Sequence, residues 1–259
     1  MLVEVHVTHN PLRNLDYLIA CPETGEALAL DPWEPSELLA LAKERGWTIR
    51  HIVSTHEHPD HTRGNLELAE ATGATVSCHA AALSEVPGAT RGLRGGEVLR
   101  VGRLELEVLD TPGHTMSHVC LVGHADTPAV FSGDTLFNAG AGNCHNGGDP
   151  RLLFRSFRDI LARLPLSTAL YPGHDYLFNN LRFTLSREPS NADAQARLVG
   201  LSPDDPPQKL SLAEERGYNT FFRLDSPEVI AGLQAAFPGR DLGSEEERFV
   251  ALRELRNRW

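Results

Sequence analysis

Four short polar blocks, each directly after a predicted β-strand, constrain this chain more than any other feature. They are Thr55-His56-Glu57-His58-Pro59-Asp60-His61, Thr111-Pro112-Gly113-His114-Thr115, Ser132-Gly133-Asp134-Thr135-Leu136-Phe137 and Tyr171-Pro172-Gly173-His174-Asp175. The strands before them read as Thr48 to Ser54, Leu104 to Leu109, Ala129 to Phe131 and Thr168 to Leu170. Loops on one edge of a packed sheet converge in space while staying distant in sequence. Such convergence gathers the imidazoles of His56, His58, His61, His114 and His174 with the carboxylates of Asp60 and Asp134. Neutral imidazole and carboxylate suit zinc, iron or manganese, and the absence of nearby thiolates argues against a Cys-rich structural zinc site. These donors are too many for one tetrahedral ion. Two ions sharing a bridging carboxylate would use them all and leave positions for water, which is what a two-metal hydrolase needs.

The rest of the chain supplies a scaffold for that edge. Asp16 to Ala20 and Ala27 to Leu30 read as two strands around the turn Pro22-Glu23-Thr24-Gly25, and Ser36 is the expected cap of a helix ending at Gly46. A helix from about Asn65 to Ala71 and a strand from Ala74 to Cys78 follow. Val98 to Val101 and Leu104 to Leu109 flank Gly102-Arg103, with glycine first as a type II′ hairpin requires. Val119 to Val122 reads as another strand, and Leu153, Phe157, Ile160, Leu161 and Leu164 recur at helical spacing between about Pro150 and Leu164. The glycine-rich stretch carrying Arg91 and Arg94 reads as a solvated loop. From about Tyr176 onward only helices and Pro-rich turns are expected, with Ser226-Pro227 and Ser244/Glu247 as helix starts and 202–207 as a linker. Strands mixed with helices, then helices alone, indicate an α/β core with a C-terminal helical cap.

Composition narrows the partners. A net charge of −11 argues against nucleic acid as the main partner, while leaving room for a local basic pocket that takes a small anion. The start MLVEVHVTHN lacks a basic segment followed by an apolar one, and no apolar run approaches the roughly 20 residues that span a bilayer. The reading is a cytoplasmic protein with no membrane partner. Cys21, Cys78, Cys120 and Cys144 are scattered without a C-x-x-C pair, so they read as reduced thiols. Histidine is abundant, at 12 residues. His6, His9, His51, His79 and His124 read as surface or core residues, and His118 as a hydrogen-bonding support for the metal site.

H-x-H-x-D-H followed in order by G-H, G-D and G-H resembles the metallo-β-lactamase superfamily. Asp134 disfavours the antibiotic-hydrolysing branch, which usually has Cys or Ser where a bridging Asp would stand. The runs Gly173-His174-Asp175-Tyr176, Asn180-Leu181-Arg182-Phe183 and Glu188-Pro189-Ser190-Asn191 resemble glyoxalase II, with a weaker echo at Asn219-Thr220-Phe221-Phe222-Arg223. The resemblance implies a four-layer αββα sandwich over residues 1–175 and a helical substrate-binding region over 176–259. It implies that His56, His58 and His114 hold one metal, that Asp60, His61 and His174 hold the other, and that Asp134 bridges. The metals would be two divalent ions, zinc with iron or manganese as alternatives.

The implied reaction is hydrolysis of a thioester such as S-lactoylglutathione by metal-bridged hydroxide, with Asp60 also orienting the nucleophile. Tyr176 and Arg223 match family contacts to the glutathione moiety. Asn143 and His145 stand where the family carries a Lys and a Tyr, so the basic contact of that loop is missing. Two rival activities share the fold: a mononuclear iron persulfide dioxygenase using His58, His114 or a near equivalent, plus Asp134, and a lactonase or phosphodiesterase. The sequence leaves oligomeric state open.

Overall fold

The computed structural model describes residues 1–124 and 127–259. Alternation of apolar side chains builds its two sheets. The first contains β1 (Leu2–Val7), β2 (Leu15–Ala20), β3 (Glu26–Leu30), β4 (Thr48–Val53), β5 (Thr75–His79) and β6 (Ala89–Leu93) in sequential order, with helices α1 (Pro35–Arg45), α2 (Pro59–Thr62) and α3 (Asn65–Thr72) interleaved. The second is assembled from β7 (Val98–Val101), β8 (Leu104–Asp110), β9 (Val119–Gly123) and β10 (Ala129–Gly133). After the small hairpin of β11 (Leu136–Phe137) and β12 (Gly140–Ala141) and the helix α4 (Pro150–Arg155), β13 (Ala169–Pro172) joins this sheet. The remaining elements are α5 (Leu177–Arg187), α6 (Ala192–Leu198), β14 (Leu210–Ser211), α7 (Leu212–Tyr218), α8 (Pro227–Ala236) and α9 (Glu245–Asn257). The order across the second sheet is β14-β13-β10-β9-β8-β7.

The period of two decides what each strand face meets. Tyr17, Ile19, Leu28, Leu30 and Val53 pack against Leu106, Val108, Leu121, Phe131 and Tyr171 between the sheets. The intervening Leu18, Ala29 and Ile52 turn outward to Leu38 of α1 and Leu68 of α3. On the far side, Cys120, Val122, Val130 and Leu170 meet Leu153, Phe154, Phe221 and Phe249 from the helical layer. β2, β9, β10 and β13 are buried along their whole length, with Asp16 and Ser132 as polar members in otherwise apolar runs. The product is helix, sheet, sheet, helix: the four-layer αββα sandwich. No helix is long and apolar enough to cross a membrane among the described residues.

Local expectations are corrected in several places. β1 and β6 are strands where none was expected; the stretch containing Arg91 pairs in parallel with β5. The first helix starts at Pro35, with Glu34 at the cap position and no side-chain cap, so Ser36 lies inside it. The helix from Pro150 changes pitch, from α to a π turn over Ser156–Ile160 and a 3₁₀ turn over Leu161–Arg163. A short strand, β14, stands in the C-terminal region and pairs antiparallel with β13. Two residues are too few to show a period of two.

Buried polar groups tie the C-terminal helices to the loops after β10. Glu215 of α7 is fully buried and accepts from Ala139 N (2.8 Å), Asn219 Nδ2 (2.9 Å), Tyr218 OH (3.1 Å) and Asn138 Nδ2 (3.2 Å). Burial pushes its carboxyl up to about 7, against the lowering effect of these donors. Arg253 of α9, also buried, donates to the carbonyls of Ala141 (2.6 Å) and Gly142 (3.1 Å).

Replacing Glu215 with Ala strands these donors, at about 1–3 kcal/mol for each one left unsatisfied. Because the folded-state pKa lies above the ordinary 4.5, the stability contributed by Glu215 is full below pH 4.5 and is lost as pH rises through about 7. Urea denaturation should therefore show Glu215→Ala destabilised by about 3 kcal/mol or more, with a larger gap at acid pH than at alkaline pH.

Candidate metal centre

The four polar blocks meet at one edge of the sandwich. His56 follows β4, His61 lies in α2, Asp134 follows β10 and His174 follows β13. His56, His61, His114, Asp134 and His174 are buried, and His58 and Asp60 are partly exposed. Two glycines let the backbone approach this closely. A Cβ on Gly173 would lie 2.4 Å from Asp134 Oδ1, and Gly133, at φ +47°, leaves room for Thr55 and His118.

The donors fall into two groups. His56 Nε2 and His114 Nε2 each stand 3.0 Å from His58 Nδ1. His61 Nε2 and His174 Nε2 stand 3.2 Å apart, and they lie 3.4 and 3.5 Å from Asp60 Oδ2. Asp134 sits between the groups, with Oδ2 at 3.4 Å from His114 Nε2 and 3.3 Å from His174 Nε2, and Oδ1 at 3.4 Å from His61 Nε2.

A tautomer argument tests whether this cavity suits cations. His114 Nδ1 faces the Asn143 carbonyl (2.7 Å), His174 Nδ1 faces the Leu12 carbonyl (2.8 Å), and His58 Nε2 faces the Asn146 carbonyl (3.4 Å). A carbonyl only accepts, so each of these nitrogens carries the proton. His61 Nδ1 lies 2.9 Å from Asp31 Oδ2 and donates to it. Thr55 Oγ1 spends its own proton on Asp31 Oδ2 and so accepts from His56 Nδ1, at 3.0 Å. Every ring is thus protonated on its outer nitrogen and, in its neutral form, aims a bare lone pair inward. At His61 burial is outweighed by the carboxylates of Asp134 and Asp31, which raise its pKa, so a cation would displace a proton from Nε2 there. Lone pairs 3.0–3.2 Å apart repel, and Asp134 Oδ1 is buried without a hydrogen-bond partner. Cations would relieve both penalties, so the donor set fits metal. Burial holds His56 and His114 below the ordinary imidazole range, which favours the neutral form that ligates. Burial alone would raise Asp134; the charges that His174, His61 and His114 carry when protonated outweigh it and lower the carboxyl, and with those rings neutral a cation would have to take over that role.

Over residues 19–174 the sequence matches the profile described as Metallo-beta-lactamase superfamily, and over residues 175–259 the one described as Hydroxyacylglutathione hydrolase C-terminus. A hydroxyacylglutathione hydrolase of Polaromonas sp. is 54% identical, with 100% of both chains covered. The chain belongs to the hydroxyacylglutathione hydrolase family of the metallo-β-lactamase superfamily. The family's Nitrosococcus oceani member is 51% identical, again over 100% of both chains. Among solved structures, ETHE1 from Myxococcus xanthus superposes with a TM-score of 0.70 at 27% identity, covering 98% of this chain and 91% of that one. TTHA1623 in a di-iron-bound form gives 0.55 at 33% identity, covering 65% and 90%.

The other predicted residues are placed as follows. His118 accepts from Asp134 N (3.1 Å) and lies beside Thr111 and Thr135, so its partner is the Asp134 backbone. Tyr176 stacks on the His174 ring at 5.0 Å between centroids. Asn143 reaches the cluster through its main-chain carbonyl, and its side chain accepts from the exposed His145 N. Arg223 is directed elsewhere: its fork grips Glu188 at 2.6 and 2.7 Å. His6 and His9 converge on Glu34.

One residue was not singled out in the sequence. Arg256 is half-buried, donates to Asn180 Oδ1 (3.1 Å) and lies close enough for its charge to act on Tyr176. Burial lowers its pKa, and no described carboxylate offsets its charge. The available signal was Arg253 and Arg256 at helical spacing, on one face of the last helix.

Asp31→Asn should keep the fold while removing the acceptor that fixes His61. Its amide would face Nδ1, favouring the tautomer with a proton on Nε2. Metal affinity should fall about 10–100-fold, read by competition with a chromophoric chelator, with far-ultraviolet circular dichroism unchanged.

Proposed function

We propose that the chain hydrolyses hydroxyacylglutathione thioesters such as S-lactoylglutathione to a hydroxy acid and glutathione, and that it does so in the cytoplasm. The observation that carries this reading is the outer-nitrogen locking of all five ligand histidines around two carboxylates. Full-length identity to hydroxyacylglutathione hydrolases supports the substrate class. In this reading His56, His58 and His114 hold one ion, Asp60, His61 and His174 hold a second, and Asp134 bridges them. Bound there, two divalent ions would lower the pKa of water and polarise a carbonyl. Zinc suits the His- and carboxylate-rich set, and iron is supported by the di-iron form of TTHA1623.

The chain's own groups supply orientation. Asp60 orients the attacking water. Tyr176, Asn143 and His145 border the approach for the thiol half of the substrate. Glutathione carries carboxylates, and Arg256 is the uncompensated cation that meets one, in place of the basic residue missing from the 141–148 loop. Residues 1–175 then carry the metals, and 176–259 complete the substrate site. Arg223 contributes by clamping Glu188.

The persulfide dioxygenase reading requires one iron and three protein ligands. The complete support of the Asp60, His61 and His174 group favours the dinuclear reading.

Purified protein should contain about two metals per chain and consume S-lactoylglutathione, followed by ultraviolet absorbance. Asp134→Ala should lower kcat/KM by about 10²–10³-fold, the scale of losing one preorganised electrostatic group. One iron per chain, no hydrolysis, and oxygen uptake with glutathione persulfide would sink the proposal. Arg256→Ala should raise KM about 10–100-fold with little change in kcat, as loss of a charged hydrogen bond in binding predicts.

A further inference from the structure

We infer that Asn14 is a positioning residue that sets the affinity of the Asp60, His61 and His174 subsite alone, through a polar relay in the loop before β2. The inference rests on the dinuclear reading above.

The relay begins at a group whose polarity is certain. Leu12 N donates to Asn10 Oδ1 at 2.8 Å, so the other end of that amide is its NH₂. Asn10 Nδ2 donates to Thr8 Oγ1 (2.8 Å) and to Asn14 Oδ1 (3.0 Å). The carbonyl end of Asn14 is thereby assigned, and its NH₂ must face Asp60. Asn14 Nδ2 donates to Asp60 Oδ2 at 3.0 Å and to the Asp60 main-chain carbonyl at 3.1 Å. Asp60 Oδ2 is also the oxygen that faces His61 and His174. Asn14 thus occupies one lone-pair direction of that oxygen and leaves another for the ion.

The loop acts on one subsite and not the other. Leu12 O, in the same loop, accepts from His174 Nδ1. Asn14 bridges to His174, and Leu15 N donates to Gly173 O at 2.9 Å. The His56, His58 and His114 group instead leans on Thr55 and on the carbonyls of Asn146 and Asn143. Asn14 is 2% exposed, so its amide is a donor to Asp60 fixed inside the protein rather than one exchanging with solvent.

The test measures stepwise metal dissociation constants by chelator competition, without substrate, for the wild-type chain, Asn14→Ala and Asn10→Ala. In Asn14→Ala one constant should weaken about 10–100-fold while the other stays within about twofold. kcat should fall in the metal-saturated enzyme while KM holds within about twofold. Asn10→Ala, which leaves Asp60 untouched, should shift the same constant by a smaller factor. Equal weakening of both constants, or no change in either, overturns the inference. If Asn14→Ala does not fold, an unchanged ratio of constants in Asn10→Ala overturns it. Failure of the wild-type chain to cleave S-lactoylglutathione would defeat the proposed substrate, and the affinity ratio would still be read independently.

Discussion

Five imidazole lone pairs aimed at one cavity are the constraint on which the rest of this structure depends. Bare nitrogens held 3.0–3.2 Å apart, together with a buried carboxylate oxygen that has no partner, cost free energy in the folded chain. The arrangement persists because each ring is held from behind. Asp31 serves two of the rings, one directly at His61 and one through Thr55 to His56. Asp31 itself adopts φ 50°, a left-handed conformation that is uncommon for a residue with a side chain. Main-chain carbonyls hold the other three rings, so loop shape fixes the chemistry as much as ligand identity does.

The sandwich makes that loop shape affordable. β2, β9, β10 and β13 are buried on both faces, which fixes their register against both a sheet and a helical layer. A one-residue slip would exchange the side chains facing the two apolar layers. The loops leaving these strands therefore start from fixed points. Glycines at 133 and 173 then admit backbone where a Cβ would strike Thr55, His118 or Asp134.

The C-terminal helices are part of the same construction. Arg253 grips Ala141 and Gly142 immediately before Asn143, whose carbonyl orients His114. Glu215 collects the donors of Asn138 and Ala139 a few residues earlier. The C-terminal helices thus also shape the loop behind the ring of His114. A change in the last helix reaches the metal centre through backbone, without touching a ligand.

Much of this was legible in the sequence. The candidate donors show in the spacing of His56 to His61 and in the three glycine-led blocks, because close backbone approach and metal ligation each demand particular residue types. The α/β core shows in strands mixed with helices and the helical cap in the change of character near Tyr176, while the four-layer order is implied by the family resemblance alone. Tertiary structure alone decided the rest. β1 carries a visible alternation, Val3-Glu4-Val5-His6-Val7, whose Val5 and Val7 nevertheless stay exposed at the sheet edge, while β6, Ala89–Leu93, has no alternation to read. Arg223 lies in the Asn219–Arg223 run and Arg256 in a last helix with Arg253; only packing shows that Glu188 neutralises the first while no described carboxylate pairs with the second. Asn14 and Asp60 are 46 residues apart, and no local pattern marks their hydrogen bond. Sequence determines which atoms can bind a metal, because that is a property of each side chain. Which nitrogen of each ring is bare is set by partners brought together from distant segments, and that belongs to the fold.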